Sequence, residues 1–318
     1  MKCTRCREPA EVKLRAHNSA FCRACYLLFF ERRVERAIEH QSMFGREDRI
    51  LVAVSGGKDS LALWEVLAAA GYHTVGFHLA LGIGGYSERS RERCERFAAD
   101  RRLVLRVRSL VDENLAIPTV VGATRRPACS ACGTIKRHYF DAAALEEQCT
   151  IVATGHNLDD EAARLLGNVL HWQVDHLSRQ RPVIQPRHEK FVRKVKPLYL
   201  TSEFETATYS FMRGIDYVVE ECPNAVGATQ LAHKAVLDGL ENSSPGTKLA
   251  FVGEFVSRGS QAFQPRERAD ADRSCAGCGM PSWGELCGFC SLRAQVDRKT
   301  AARDAIAESP DATGGPRP

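Results

Sequence analysis

A chain of 318 residues, 44% of them hydrophobic, is long enough to bury a sizeable core and too apolar to be disordered throughout. No apolar run approaches the ~20 residues that span a bilayer, and Met1-Lys2-Cys3-Thr4 does not open a signal peptide, so a cytoplasmic protein without a membrane partner is expected. The formal charge of +5 is modest and admits a polyanionic partner without demanding one.

Thirteen cysteines stand out against this background. In a reducing compartment Cys-x-x-Cys pairs bind metal or do redox work more often than they form disulfides. Residues 1–30 carry Cys3-x-x-Cys6 and Cys22-x-x-Cys25, two tight pairs that close a tetrahedral zinc site and leave no open position, so the site reads as structural. Leu27 to His40 has a helical pattern and links this module to the next.

Residues 31–245 are expected to form the central domain. Arg49-Ile50-Leu51-Val52-Ala53-Val54 reads as a buried strand, followed by a glycine-rich turn and a helix from Ser60 to Ala70. Strand patterns recur at 74–79, 103–107 and 150–154 with helical stretches between them. The succession predicts a doubly wound, mostly parallel α/β sheet of Rossmann-like type, with ligands outside the carboxyl ends of its strands. Both the glycine turn and Gly155-His156-Asn157 follow strands and belong on that edge. The basic stretch Arg187 to Lys196 suits a polyanion or a solvated face. Residues 246–297 lose strand periodicity and carry a second quartet, Cys275-x-x-Cys278 and Cys287-x-x-Cys290, again a structural zinc pattern. Residues 298–318 have little apolar content and are expected to be disordered.

Ser55-Gly56-Gly57-Lys58-Asp59-Ser60 lacks the spacing of the common ATPase loop. Adjacent glycines let backbone amides turn towards an anion at a helix N-terminus, while Ser55 and Ser60 add hydroxyl donors. Lys58 adds charge, and Asp59 is placed to hold magnesium or to orient the loop. The six residues, between a buried strand and a helix, resemble the pyrophosphate (PP) loop of the N-type ATP pyrophosphatases. Cys129-Ser130-Ala131-Cys132-Gly133-Thr134-Ile135-Lys136-Arg137, Thr154-Gly155-His156-Asn157-Leu158-Asp159-Asp160-Glu161-Ala162, Lys196-Pro197-Leu198 and Glu221-Cys222-Pro223 follow in order. With the flanking cysteine quartets they resemble the tRNA 2-thiolation enzymes of the TtuA family over residues 1 to 295.

That resemblance implies an ATP-dependent tRNA sulfurtransferase: the C2 carbonyl oxygen of a tRNA uridine, in the T-loop or at the wobble position, is adenylated and replaced by sulfur, with release of AMP and pyrophosphate. It implies ATP contacts from Ala53, Val54, Ser55, Gly56, Gly57, Lys58, Asp59, Ser60, His78, Leu79, Lys136, Gly155 and Asp160. Lys136 would approach the α-phosphate, and Asp160 would act as a catalytic or magnesium-binding carboxylate. The aspartates at 159 and 160 equally suit a helix N-cap. The sulfur donor would be a ubiquitin-like carrier with a C-terminal thiocarboxylate or free sulfide, and the assembly a homodimer.

Cys129, Cys132 and Cys222 are one thiol short of a zinc site. Three cysteines on a four-iron cluster leave one iron open to sulfide, as the family resemblance also implies. The rival is a persulfide on Cys132 or Cys222, resolved by the other thiol. The implied cofactors are thus ATP, Mg2+, two Zn2+ and one [4Fe-4S] cluster, with Cys94 and Cys149 left to packing. Two other readings stay open: an amidating or lysine-adding ligase on the same loop, which has no use for the trio, and a non-catalytic zinc protein that binds nucleic acid.

Overall fold

The structure, a computed structural model, describes residues 1–225, 227, 229–263 and 273–307. Strands β1 (Val12–Leu14) and β2 (Ser19–Phe21) pair antiparallel and lead into α1 (Arg23–His40). The helix starts four residues before the expected Leu27, because Cys22 takes the extended N-cap conformation. It buries Tyr26, Phe30, Val34, Ala37 and Ile38, a stripe of helical period.

The alternation then runs β3 (Arg49–Ala53), α2 (Lys58–Ala69), β4 (His73–Ala80), α3 (Gly84–Arg101), β5 (Leu105–Ser109), α4 (Ile117–Thr124), α5 (Ala128–Glu146), β6 (Ile151–Thr154) and α6 (Leu158–Leu170). It continues through α7 (Val174–Leu177), β7 (Val183–Ile184), β8 (Arg193–Val195), α8 (Glu203–Met212), α9 (Thr229–Ser243) and α10 (Thr247–Ser257). A small hairpin of β9 (Arg273–Ser274) and β10 (Pro281–Ser282) precedes α11 (Gly288–Ala307).

Six strands form one sheet in the order β5-β4-β3-β6-β8-β7, parallel except for β7, which pairs antiparallel with β8. Ile50, Leu51 and Val52 are all fully buried, and the period of two splits them between the two faces. Ile50 and Val52 pack with α1, α2 and α8, while Leu51 packs with α4, α5 and α11. The chain leaves β3 for β4 on one side and reaches β6 on the other. The crevice outside the carboxyl ends of β3 and β6 is therefore the topological switch point where such folds bind ligands.

Three expectations are corrected. The basic stretch Arg187 to Lys196 is not a free polyanion patch: β8 runs through it, Lys194 pairs with Asp141 at 2.7 Å, Lys196 pairs with Glu161 at 2.8 Å, and Lys190 donates to the Gly279 carbonyl at 2.8 Å. Residues 298–307 are not disordered but complete α11, which packs on α4 and places Lys299 on the Gly122 carbonyl; residues 308–318 lie outside the described residues. The break expected at residue 246 does not separate packing units, since α10 packs on α6 and its Lys248 pairs with Asp159. Among the described residues no helix is long and apolar enough to cross a membrane.

Candidate active site

The glycine loop is shaped by its own hydroxyls. Ser60 Oγ accepts from the Ser55 amide at 3.0 Å, donates to the Gly57 carbonyl at 3.1 Å and lies 3.2 Å from Ser55 Oγ. Gly56 has φ of 81°, and a Cβ there would stand 2.5 Å from the Ser90 carbonyl of α3, so only glycine fits. Gly57 is the N-cap of α2 and offers no side chain to the first-turn amides. Those amides are left for an anion, aligned with the positive end of the helix.

Beside the loop, β6 gives way to Gly155. A Cβ on Gly155 would lie 2.8 Å from the Ser60 amide nitrogen and 2.9 Å from the Asp59 carbonyl carbon, so glycine lets the two switch-point loops touch. Asn157 is the true N-cap of α6, in a reciprocal capping box with Asp160. Its Nδ2 also donates to Asp59 Oδ1 at 3.0 Å, locking one loop to the other. The two neighbouring aspartates divide their work. Asp159 is buried; it accepts from the Glu203 amide at 2.6 Å and pairs with Lys248. Asp160 is half-buried and pairs with Lys234 at 2.7 Å. Burial raises the Asp59 carboxyl pKa; Lys58 and the Asn157 donor oppose the shift, and Asp160 adds to it.

A cleft over this edge is lined by Ala53, Val54, Ser55, His78, Leu79 and Lys136, six of the residues expected to contact ATP, together with Tyr86, Ser87, Ser90 and Phe140. His78 Nδ1 donates to the Val54 carbonyl at 2.9 Å, which leaves Nε2 as a bare acceptor, buried and without a hydrogen-bond partner among the described residues. Burial depresses the His78 pKa and keeps the ring neutral. His156, which carried no assigned role, has Nδ1 hydrogen-bonded to Thr154 Oγ1 at 2.7 Å; burial and then Lys196 push its pKa down to about 4.

The thiol trio adjoins the cleft. Cys129 and Cys132 occupy the first turns of α5, one turn before Lys136, and Cys129 Sγ donates to the carbonyl of Asn224, two residues beyond Cys222. Burial raises the Cys132 pKa; Lys136 opposes the shift, and Cys222 and Cys129 both add to it. Tyr86, raised first by burial, feels both Cys222 and Cys132 and sits where cleft and trio meet. The three sulfurs are not gathered as tightly as a single ion requires, whereas each quartet has all its ligand atoms within 4.8 Å of one another. Cys6 and Cys22 sulfurs lie 3.6 Å apart and those of Cys278 and Cys287 3.7 Å apart. Both fit the edge of about 3.8 Å that a Zn–S bond of ~2.3 Å gives a tetrahedron. Backbone amides of Cys287 and Cys290 point at Cys275 and Cys287 sulfurs, as thiolate acceptors require.

Sequence reasoning missed Tyr86, Asn157, Glu203, Lys234 and Lys248. Only two carried a local signal: Asn157 stands three residues before an acid, and Glu203 opens the helix that Ser202 and Glu205 cap. Lys234 and Lys248 come from helices remote in sequence.

A buried parallel sheet with the Ser55–Ser60 loop at its switch point defines a PP-loop nucleotide-binding protein. Residues 28–226 match the PP-loop domain family, and residues 2–27 match the N-terminal LIM domain of the 2-thiouridine synthetase TtuA. Among curated relatives, the tRNA-5-methyluridine(54) 2-sulfurtransferase of Thermus thermophilus is 45% identical over 97% of this chain and 96% of its own length, and that of Thermotoga maritima is 40% identical over 94% and 98%. A solved structure, the U34-tRNA thiolase NcsA from Methanococcus maripaludis with its [4Fe-4S] cluster, is 25% identical, with a TM-score of 0.75 over 92% of this chain and 96% of that one. The chain belongs to the TtuA family of tRNA 2-sulfurtransferases.

Proposed function

We propose that this protein is an ATP-dependent tRNA 2-sulfurtransferase acting on uridine 54 of the T-loop. The juxtaposition of the Ser55–Ser60 loop, Lys136 and the thiol trio along one cleft carries the reading. Position 54 is favoured over the wobble position because relatives named for it are 45% and 40% identical, against 25% for the U34 thiolase.

The first-turn amides of α2, with Ser55 and Ser60, bind the pyrophosphate, and Lys58 adds positive charge. Asp59 and Asp160 would hold Mg2+, which would offset the charge of the phosphates. The neutral His78 Nε2 accepts a hydrogen bond from the adenine amino group. Lys136 stabilises the charge that builds on the α-phosphate as the uridine O2 attacks phosphorus and pyrophosphate departs. Sulfur then attacks C2, and the former carbonyl oxygen leaves within AMP, which turns a poor leaving group into a good one. When bound, a [4Fe-4S] cluster on Cys129, Cys132 and Cys222 supplies an iron without a protein ligand at which sulfur can be held; a trio spread wider than one ion needs supports a polynuclear group. The two quartets hold structural Zn2+, one in an N-terminal module of residues 1–30 and one after α10, around a PP-loop core. Sulfur comes from a thiocarboxylated ubiquitin-like carrier or from sulfide, and the active species is a homodimer.

The test is nucleoside analysis of tRNA from a deletion strain, complemented with wild type or Cys222→Ala. Loss of the 2-thiolated nucleoside at position 54, restored by wild type alone, is expected. Intact thiolation in the deletion strain would sink the reading, and a loss confined to position 34 would refute the site assignment. Metal analysis of anaerobically purified protein should give about four irons and two zincs per chain.

A further inference from the structure

Five charged side chains form an alternating chain that starts in the glycine loop. Lys58 Nζ touches Asp59 Oδ2 at 3.2 Å and Glu203 Oε1 at 2.7 Å. The other oxygen of Glu203 accepts from Lys234 Nζ at 3.2 Å, and Lys234 continues to Asp160 Oδ1 at 2.7 Å. Glu203 thus sits between two ammonium groups and Lys234 between two carboxylates. The result is crowded for a polyanion site: the three carboxylates of Asp59, Asp160 and Glu203 stand against two ammonium groups. Lys58, the loop's own cation, is occupied by two of them.

Lys234 arrives from α9, which packs along α6, and belongs to none of the motifs of the loop. It neutralises Asp160 and competes with Lys58 for Glu203. A carboxylate shared between two cations holds each one less tightly than a carboxylate devoted to one. We propose that Lys234 is a positioning residue for nucleotide binding: by drawing on Glu203 it lets Lys58 exchange that carboxylate for the phosphates of ATP. The inference rests on the reading of Ser55–Ser60 as the ATP site. Without Lys234, Glu203 keeps Lys58, and the site carries one more net negative charge against the incoming nucleotide polyanion.

The test uses the full-length protein, purified anaerobically, with calorimetric titration of α,β-methylene-ATP and Mg2+ and steady-state pyrophosphate release with tRNA. Lys234→Met should weaken nucleotide binding on the order of tenfold, in KM with kcat little changed. Lys234→Arg should bind within about threefold of wild type, because it keeps the charge. Glu203→Gln should bind as tightly as wild type or tighter, and the double variant Glu203→Gln with Lys234→Met, which restores the charge balance, should return to within about threefold. Unchanged affinity in Lys234→Met overturns the proposal, as does a double variant as weak as Lys234→Met alone or a weakened Glu203→Gln. Those outcomes leave the ATP reading standing; a wild-type protein that does not bind the nucleotide overturns both.

Discussion

Replacing Gly155 by alanine tests whether contact between the two switch-point loops sets the phosphate site. The added Cβ would lie 2.8 Å from the Ser60 nitrogen and 2.9 Å from both the Asp59 carbonyl carbon and Ser60 Cα. Carbon contacts are comfortable at ~3.5–4.0 Å, so the backbones must part by roughly 0.6–1 Å. Every nearby atom is backbone of the first turn of α2, held by the Ser60 and Asn157 hydrogen bonds, and none is a flexible side-chain end. Overpacking of this kind costs about 1–3 kcal/mol, or roughly 2–5 °C in Tm for a chain of this size. A displacement near 1 Å of groups that position a reacting phosphate costs on the order of a hundredfold in rate. Gly76→Ala is the control. Its Cβ would strike the buried Trp64 ring at 2.3 Å, within the sheet and away from the loop, so it should cost at least as much stability with a far smaller loss of rate. Pyrophosphate release is measured at least 15 °C below each variant's Tm. If Gly155→Ala keeps kcat/KM within twofold of wild type, or loses no more than Gly76→Ala does, the contact does not set the site.

Three further outcomes follow from particular side chains. Asp159→Asn should lower Tm by several degrees, because Lys248, 5% exposed, loses a buried partner, whereas Asp160→Asn should leave Tm within about 2 °C and cut pyrophosphate release at least tenfold; the reverse pattern would exchange their roles. Lys196→Met should destabilise the protein by about 3–5 kcal/mol in urea unfolding, since Glu161, 4% exposed, is left charged and unpaired; a change under 1 kcal/mol would show the pair to be dispensable. Cys278→Ser should reduce bound zinc from two to one per chain by atomic absorption, and unchanged zinc would remove that quartet as a metal site.

The central sheet was legible because a parallel sheet buries both faces and so writes continuous apolar runs such as Ile50-Leu51-Val52. Fixed spacing made the quartets and the glycine loop legible, because the ligands of one ion or one anion lie close together in sequence. The basic stretch at 187–196 misled for a physical reason: charge says nothing about partners, and Asp141 and Glu161 sit far away in sequence. Residues 298–307 looked disordered because the apolar stripe that seats α11, Phe289, Leu292 and Val296, lies in its first half, and the last ten residues only extend the helix. Lys234 could not be found from local pattern, since its pairing with Glu203 needs α9 laid on α6.

Helix α5 carries Cys129 and Cys132 in its first turns and Lys136 in the next, and two residues later His138 lies flat on Phe289, with ring centroids 3.8 Å apart and planes 8° from parallel. Phe289 sits between Cys287 and Cys290, so the rod that carries Cys129, Cys132 and Lys136 is seated at its middle on the second cysteine quartet. Where that quartet holds zinc, as proposed, an organism short of the metal would lose more than a surface ornament: with the seat softened, the thiols and the lysine would drift together, and zinc scarcity would be felt as a shortage of modified RNA.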